Sequence, residues 1–125
     1  MMKLSILFFV GLFVVACSKS KRMVNKLAGT WQFYDILHYD GSHSYPNETY
    51  IFEKGEADGE TFLPLKIINN NDTINGSYLI AKKGDMMHFV KASQSAVDVC
   101  SVEDFGKNLL VVRNVGDVWY FKKLK

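Results

Sequence analysis

From Leu27 to the end of the chain, apolar and polar positions alternate in short runs, broken every few residues by glycine, asparagine or aspartate. A period of two between turn residues is the pattern of half-buried strands, and the runs are rich in Val, Ile, Tyr, Phe and Thr, which suit a pleated surface. Eight strands are predicted: Gly29 to His38, Thr49 to Glu53, Phe62 to Ile68, Gly76 to Lys82, Met86 to Lys91, Ala96 to Val102, Asn108 to Arg113 and Val118 to Lys123. Most connectors are tight, as at Lys83-Gly84-Asp85 and Asn114-Val115-Gly116-Asp117, and short connections favour antiparallel neighbours. No segment carries a helical stripe. Ser93 to Phe105 comes nearest, but Val97, Val99, Ser101 and Val102 stand in near alternation, which fits a strand.

A row of hairpin-linked strands with no covering helix leaves two unpaired edges unless the sheet closes on itself. The predicted fold is therefore all-β, a small eight-stranded antiparallel up-and-down barrel, with a β-sandwich as the alternative. Most of the strands are shorter than the roughly 9 to 11 residues of a membrane-spanning strand and end in a charge. The inward candidates are bulky: Trp31, Phe33, Tyr50, Phe52, Leu63, Leu65, Tyr78, Phe89, Leu109 and Trp119. An eight-stranded barrel has room for its own side chains or one small ligand, so a filled interior is expected over an open cup.

The start of the chain has a different pattern. Met1-Met2-Lys3 gives a positive end, Leu4 to Ala16 is a mainly apolar run uninterrupted by charge, and Val14-Val15-Ala16-Cys17 closes it with a small residue before cysteine. The run falls short of the roughly 20 residues that span a bilayer and meets Ser18-Lys19-Ser20-Lys21-Arg22, which reads as a signal peptide. Its last four residues resemble the bacterial lipobox. That resemblance implies cleavage between Ala16 and Cys17, with diacylglycerol and then fatty acid (palmitate) attached at Cys17. The alternatives are an ordinary secretory signal or an uncleaved anchor. The expected organisation is thus a lipoprotein signal peptide at 1–16, a lipidated basic tether at 17–26 and the barrel domain at 27–125. Extended, the tether reaches at most about 30 Å, which keeps the domain near the membrane.

Removing the first 16 of 125 residues leaves 109, enough for one domain, with 14 basic and 13 acidic residues. So even a balance gives no concentrated basic face for nucleic acid. Lys19, Lys21, Arg22 and Lys26 cluster beside the anchor, placed either for anionic headgroups or as a solvated linker. The chain has two cysteines, and with lipid on Cys17 the thiol of Cys100 has no disulfide partner; its alternating surroundings make it a small strand side chain. His38, His43 and His88 match no metal-site spacing, and no nucleophile elbow or phosphate loop is present. Asp35, His38 and Asp40 fall near one strand end, where a solvated loop is the ordinary explanation. No catalytic residue, metal or cofactor is assigned, and the chain is not expected to be an enzyme.

Lys26-Leu27-Ala28-Gly29-Thr30-Trp31, opening the first strand, resembles the lipocalin Gly-x-Trp signature. Thr49 to Gly55, Gly76 to Ile80, Asn108 to Val112 and Trp119 to Lys123 then follow the cadence of the short lipocalin-like domains of bacterial lipoproteins. The resemblance implies a barrel plug in which Gly29 allows a close bend, Trp31 points inward and a late arginine covers the ring. Arg113 is the one late arginine, while the last strand offers Lys122 and Lys123 instead. The resemblance also places the connection from Tyr39 to Glu48 over the barrel mouth, with Tyr39, His43 and Tyr45 as candidate contacts; a plain exposed linker is the alternative.

The expected function is a non-enzymatic binding or accessory domain in the cell envelope, taking a small apolar ligand. The alternative is an envelope protein inhibitor or assembly partner acting through the barrel-end loops. The resemblance to bacterial lipoproteins implies the outer membrane, since Ser18 stands where an aspartate holds some of them at the inner one, and the basic run after it implies a domain facing the periplasm, with surface exposure left open. Asp72-Thr73-Ile74 resembles the acceptor of a bacterial O-glycosylation system, which makes Thr73 a candidate modification site.

Overall fold

The computed structural model describes residues 20–92 and 94–125. The signal peptide, Cys17 and the tether as far as Lys19 lie outside the described residues. Nine strands form one antiparallel sheet: β1 (Gly29–Leu37), β2 (His43–Ser44), β3 (Glu48–Phe52), β4 (Leu63–Asn69), β5 (Asp72–Ala81), β6 (Met86–Lys91), β7 (Asp98–Phe105), β8 (Leu109–Asn114) and β9 (Asp117–Lys123). Each strand from β3 to β8 pairs with the next, β3 also pairs with β1, and β1 returns to pair with β9. That last pairing closes an eight-stranded barrel and rules out the sandwich. β2 is the additional strand, a two-residue ribbon laid on the end of β1.

Alternation sets the core. β3 and β4 bury every second residue, so Glu48, Tyr50, Phe52, Leu63, Leu65 and Ile67 are buried. On β1, Trp31 and Phe33 are buried, and a bulge between Phe33 and Asp35 against β9 then shifts the parity. Ile36, opposite Trp119, consequently packs against the core while Asp35 is freed for another partner. The predicted inward set is buried except at two positions. Trp119 is half-buried, and on β8 the core takes Leu110 and Val112 in place of Leu109. The Leu-Leu-Val-Val run of β8 is apolar at both parities, so its alternation carries no information about which face is inside.

Residues 20–27 are helical, which corrects the expectation of a chain without helix and of an extended tether over this stretch. Met23, Val24 and Leu27 are spaced three and four apart, fall on one helical face and are buried against the barrel. Three positions of this kind are too few to register as a stripe in the sequence. The helix lies across the end where β1 begins and β9 finishes, beside the Lys82–Gly84 turn, Phe105 and the Gly55 to Asp58 loop. Asp58 fixes that loop. Its carboxylate accepts from Thr61 Oγ1 at 2.6 Å and from the backbone N–H groups of Thr61 and Glu60, bonds that hold its pKa down at about 2.

The plug is built on Trp31, which is 0% exposed and donates its indole N–H to Leu27 O at 2.7 Å. One hydrogen bond therefore ties the helix to the inward ring at its own end. Gly29 has φ +131°, and a Cβ there would stand 2.5 Å from Lys125 O, so no other residue fits this close crossing of the two chain ends. The expected arginine cover is corrected. Arg113 lies on the outer surface, its Nε 2.8 Å from Glu103 Oε1, whereas Lys123 faces Trp31 across the β1–β9 ladder. Lys123 Nζ sits 5.5 Å from the centre of the indole ring and donates to Lys26 O at 2.7 Å. The register explains the substitution, because Lys123 shares the inward parity of Phe121 and Trp119 and Arg113 has the opposite one.

Trp31→Ala is expected to cost about 3–5 kcal/mol by opening a void between the helix and the barrel floor. Urea unfolding followed by far-ultraviolet circular dichroism checks this; a loss below about 1 kcal/mol would mean that the plug is not part of the folding core.

Candidate functional site

The two barrel ends are built differently. At the helix end Trp31, Leu27, Phe52, Tyr78 and Phe121 fill the interior and are each no more than 2% exposed. Toward the other end the aromatic packing continues, with Phe33 stacked on Phe121 at 4.5 Å and against Trp119 at 5.3 Å, and Tyr50 set edge-on to Phe33 at 5.6 Å. Above these rings the packing stops. A cavity of about 200 Å³ remains, floored by Phe33, Tyr50, Phe89 and Trp119, walled by Ile36, Leu65 and Ile67, and rimmed by Pro46, Glu48, Val90, Lys91, Gln94 and Asp98. The interior is therefore filled over its lower part and ends in a small cup.

Glu48 is the unusual member. It is an acidic side chain only 7% exposed, at the inward position of β3 that precedes Tyr50 and Phe52. Its Oε2 accepts from Asn69 Nδ2 at 3.1 Å. Negative charge is felt in the cup, since burial first, and then Glu48 and Asp98, push the Tyr50 hydroxyl well above its ordinary pKa. A strand read as starting at Thr49 leaves Glu48 in the preceding loop. Continuing the Phe52, Tyr50 alternation by one more step would have placed it inside.

The mouth loop folds back on β1 through β2, where Leu37 pairs with His43 and Ile36 with Ser44. Two histidines pin it. His43 Nδ1 lies 2.8 Å from Asp35 Oδ1, and His38 stands between Ser44 Oγ at 2.6 Å and Asp117 Oδ2 at 3.3 Å. Asp40 accepts from the hydroxyl and the N–H of Ser42, which lowers its pKa, and so makes a turn of its own. Asp35, His38 and Asp40 thus share one end of the barrel but are engaged separately. Among the described residues, no group of three or more His, Cys, Asp and Glu is placed to hold a metal.

The candidate contacts Tyr39, His43 and Tyr45 do gather at the mouth. Tyr39 is 86% exposed and Tyr45 72% exposed, with the Tyr45 ring stacked on His43 at 6.2 Å. They stand outside the cup, and from this loop Pro46 contributes to its lining instead. Beside Tyr39, the β8–β9 turn presents Val115, 92% exposed and at φ +54°, a strained conformation for a β-branched residue. Thr73 is exposed at the start of β5, paired with Ile68. Cys100 is fully buried, with Asn114 Nδ2 3.6 Å from its sulfur, and burial pushes its thiol up to about 12. A thiol so placed is a packing group and not a nucleophile.

The chain is similar in structure to a lipocalin-like protein from Bacteroides uniformis, with a TM-score of 0.61 and 20% identity over 79% of this chain and 99% of that one. It is also similar to an uncharacterized protein from Bacteroides eggerthii, with a TM-score of 0.60 and 14% identity over 78% of this chain and 98% of that one. No family model and no curated protein matches the sequence. At these identities the likeness establishes the lipocalin-like barrel as the fold.

The buried thiol gives a pH dependence with a definite sign. An ordinary thiol ionises near 9.0, so below that pH Cys100 is protonated folded or unfolded and its contribution is constant. Between about 9 and 12 the unfolded chain loses the proton and the folded one keeps it, so stability falls as pH rises. The buried Tyr50 and Tyr78 hydroxyls, also raised, add to the decline at the top of this range. Urea midpoints should be level from neutral pH to about pH 9 and drop above it, and Cys100→Ala should flatten the first part of the drop. An unchanged profile in that variant would contradict the burial of the thiol.

Proposed function

We propose that this protein is an envelope lipoprotein, anchored through lipid on Cys17, whose barrel works as a non-enzymatic binding domain for a small molecule held in the cup. The observation that carries the reading is the opposition of the two ends. The helix at 20–27 seals one end, the cup opens at the other, and Cys17 stands three residues before the helix. A lipid on Cys17 lies within about 11 Å of Ser20 even with the chain extended, so an anchored domain turns its plugged end to the membrane and its cup away from it.

Charge supports the same orientation. Arg22, Lys26 and Lys83 line a depression beside the helix, and Lys107, Lys123 and Lys125 line another at the chain end. Basic groups close to an anionic leaflet contribute about 1 kcal/mol each to its attraction. We further propose an outer-membrane location with the domain facing the periplasm, surface exposure being left open, and Thr73, exposed at the start of β5, as a candidate glycosylation acceptor.

A second reading, an inhibitor or assembly partner, is favoured by one observation. Tyr39, Tyr45 and Val115 are exposed apolar groups gathered around the mouth, the kind of group that protein interfaces cover.

Cys17→Ser should abolish fatty-acid labelling and leave unprocessed precursor, and labelling that persisted would remove the anchor. Native mass spectrometry of wild-type protein, gently extracted from its own envelope, should show a small co-purifying mass released on unfolding. A stoichiometric protein partner in place of that mass would favour the second reading.

A further inference from the structure

We infer that the cup selects a small organic cation, an ammonium or guanidinium group seated between the Glu48 carboxylate and the aromatic floor. This rests on the reading of the cup as a binding site and adds the charge and size of what it takes. The first ground is the carboxylate itself. Glu48 occupies an inward position, is 7% exposed, and is met by one neutral hydrogen bond, from Asn69. Among the described residues no lysine or arginine forms an ion pair with it. A cation entering beside the carboxylate would supply the ion-pair partner that none of the described residues gives it.

The second ground is the surface the ligand would rest on. Phe33, Tyr50, Phe89 and Trp119 line the cup together, and the π-system of an aromatic ring attracts a cation that rests on its face. The third is the charge at the rim. Lys91 and Asp98 both line the opening, so their formal charges offset each other and Glu48 decides the sign. Size sets the last limit. About 200 Å³ is below the roughly 300–1,000 Å³ of pockets that enclose drug-sized ligands, so the cup takes a headgroup-sized molecule and excludes a fatty acid, a retinoid or a haem.

Three probes of similar shape and different charge separate the possibilities: tetramethylammonium, tert-butanol and pivalate. Each is titrated into the full-length chain in detergent, with the Trp119 indole resonance and calorimetric heat as readouts. Tetramethylammonium should bind most tightly, shift the Trp119 signal and leave that of Trp31 in place, and Glu48→Gln should weaken it at least tenfold while the folded spectrum is retained. Equal or tighter binding of tert-butanol or pivalate would overturn the cation assignment and leave the cup as a binding site. So would an unchanged tetramethylammonium affinity in Glu48→Gln. If no probe of any charge moves Trp119, the binding reading falls with the cation.

Discussion

Pairing of β1 with β9 is the constraint on which the rest of the structure depends. It closes the sheet, removes both free edges, and brings the first and last strands side by side at the end where the chain enters the barrel. Closure at that point sets Lys123 over Trp31 and forces the main chain at Gly29 against Lys125 O. It also carries the bulge after Phe33, which turns Ile36 inward and Asp35 toward His43. The plug, the wall of the cup and the pin that holds the mouth loop are therefore three consequences of one ladder.

An eight-stranded ring is barely wider than the side chains inside it, so the sizes of those chains decide where space remains. At the plugged end the helix adds Val24 and Leu27 beneath Trp31, and the interior is closed by apolar packing. At the other end β3 contributes a glutamate where the lower layers have Tyr50 and Phe52, and the half-buried Trp119 replaces a sealing residue. A polar group in that layer needs hydrogen-bond partners, here Asn69, and does not pack against a further layer as an apolar side chain would. The cup and the buried carboxylate are the same feature described by volume and by charge.

Much of this was legible in the alternation. Strand number, antiparallel order, closure and most of the inward residues follow from a period of two between turns, and Gly29 with Trp31 marked the plug. Three features were not legible, each for a physical reason. The helix at 20–27 shows only Met23, Val24 and Leu27 to the barrel, too short a stripe to separate from a basic tether. On β8, four consecutive apolar residues hide the inward parity, so nothing in the run separates Leu109 from Leu110. The cover on Trp31 depends on cross-strand register, which sets half-buried Lys123 over the ring at the barrel end and Arg113 on the outer surface although both are late cations. Glu48 was within reach of the pattern but fell one residue beyond the strand boundary.

The central claim, a barrel filled at the helix end and open at the other, can be tested on the two tryptophans alone. A soluble nitroxide added to the labelled full-length chain broadens the resonances of groups that solvent reaches. The account predicts strong broadening of the Trp119 indole, which lines the cup, and none for Trp31, which is 0% exposed and bonded to Leu27 O. Equal protection of both indoles would mean a barrel filled to its mouth, and broadening of Trp31 would mean that the plugged end is open; either result contradicts it.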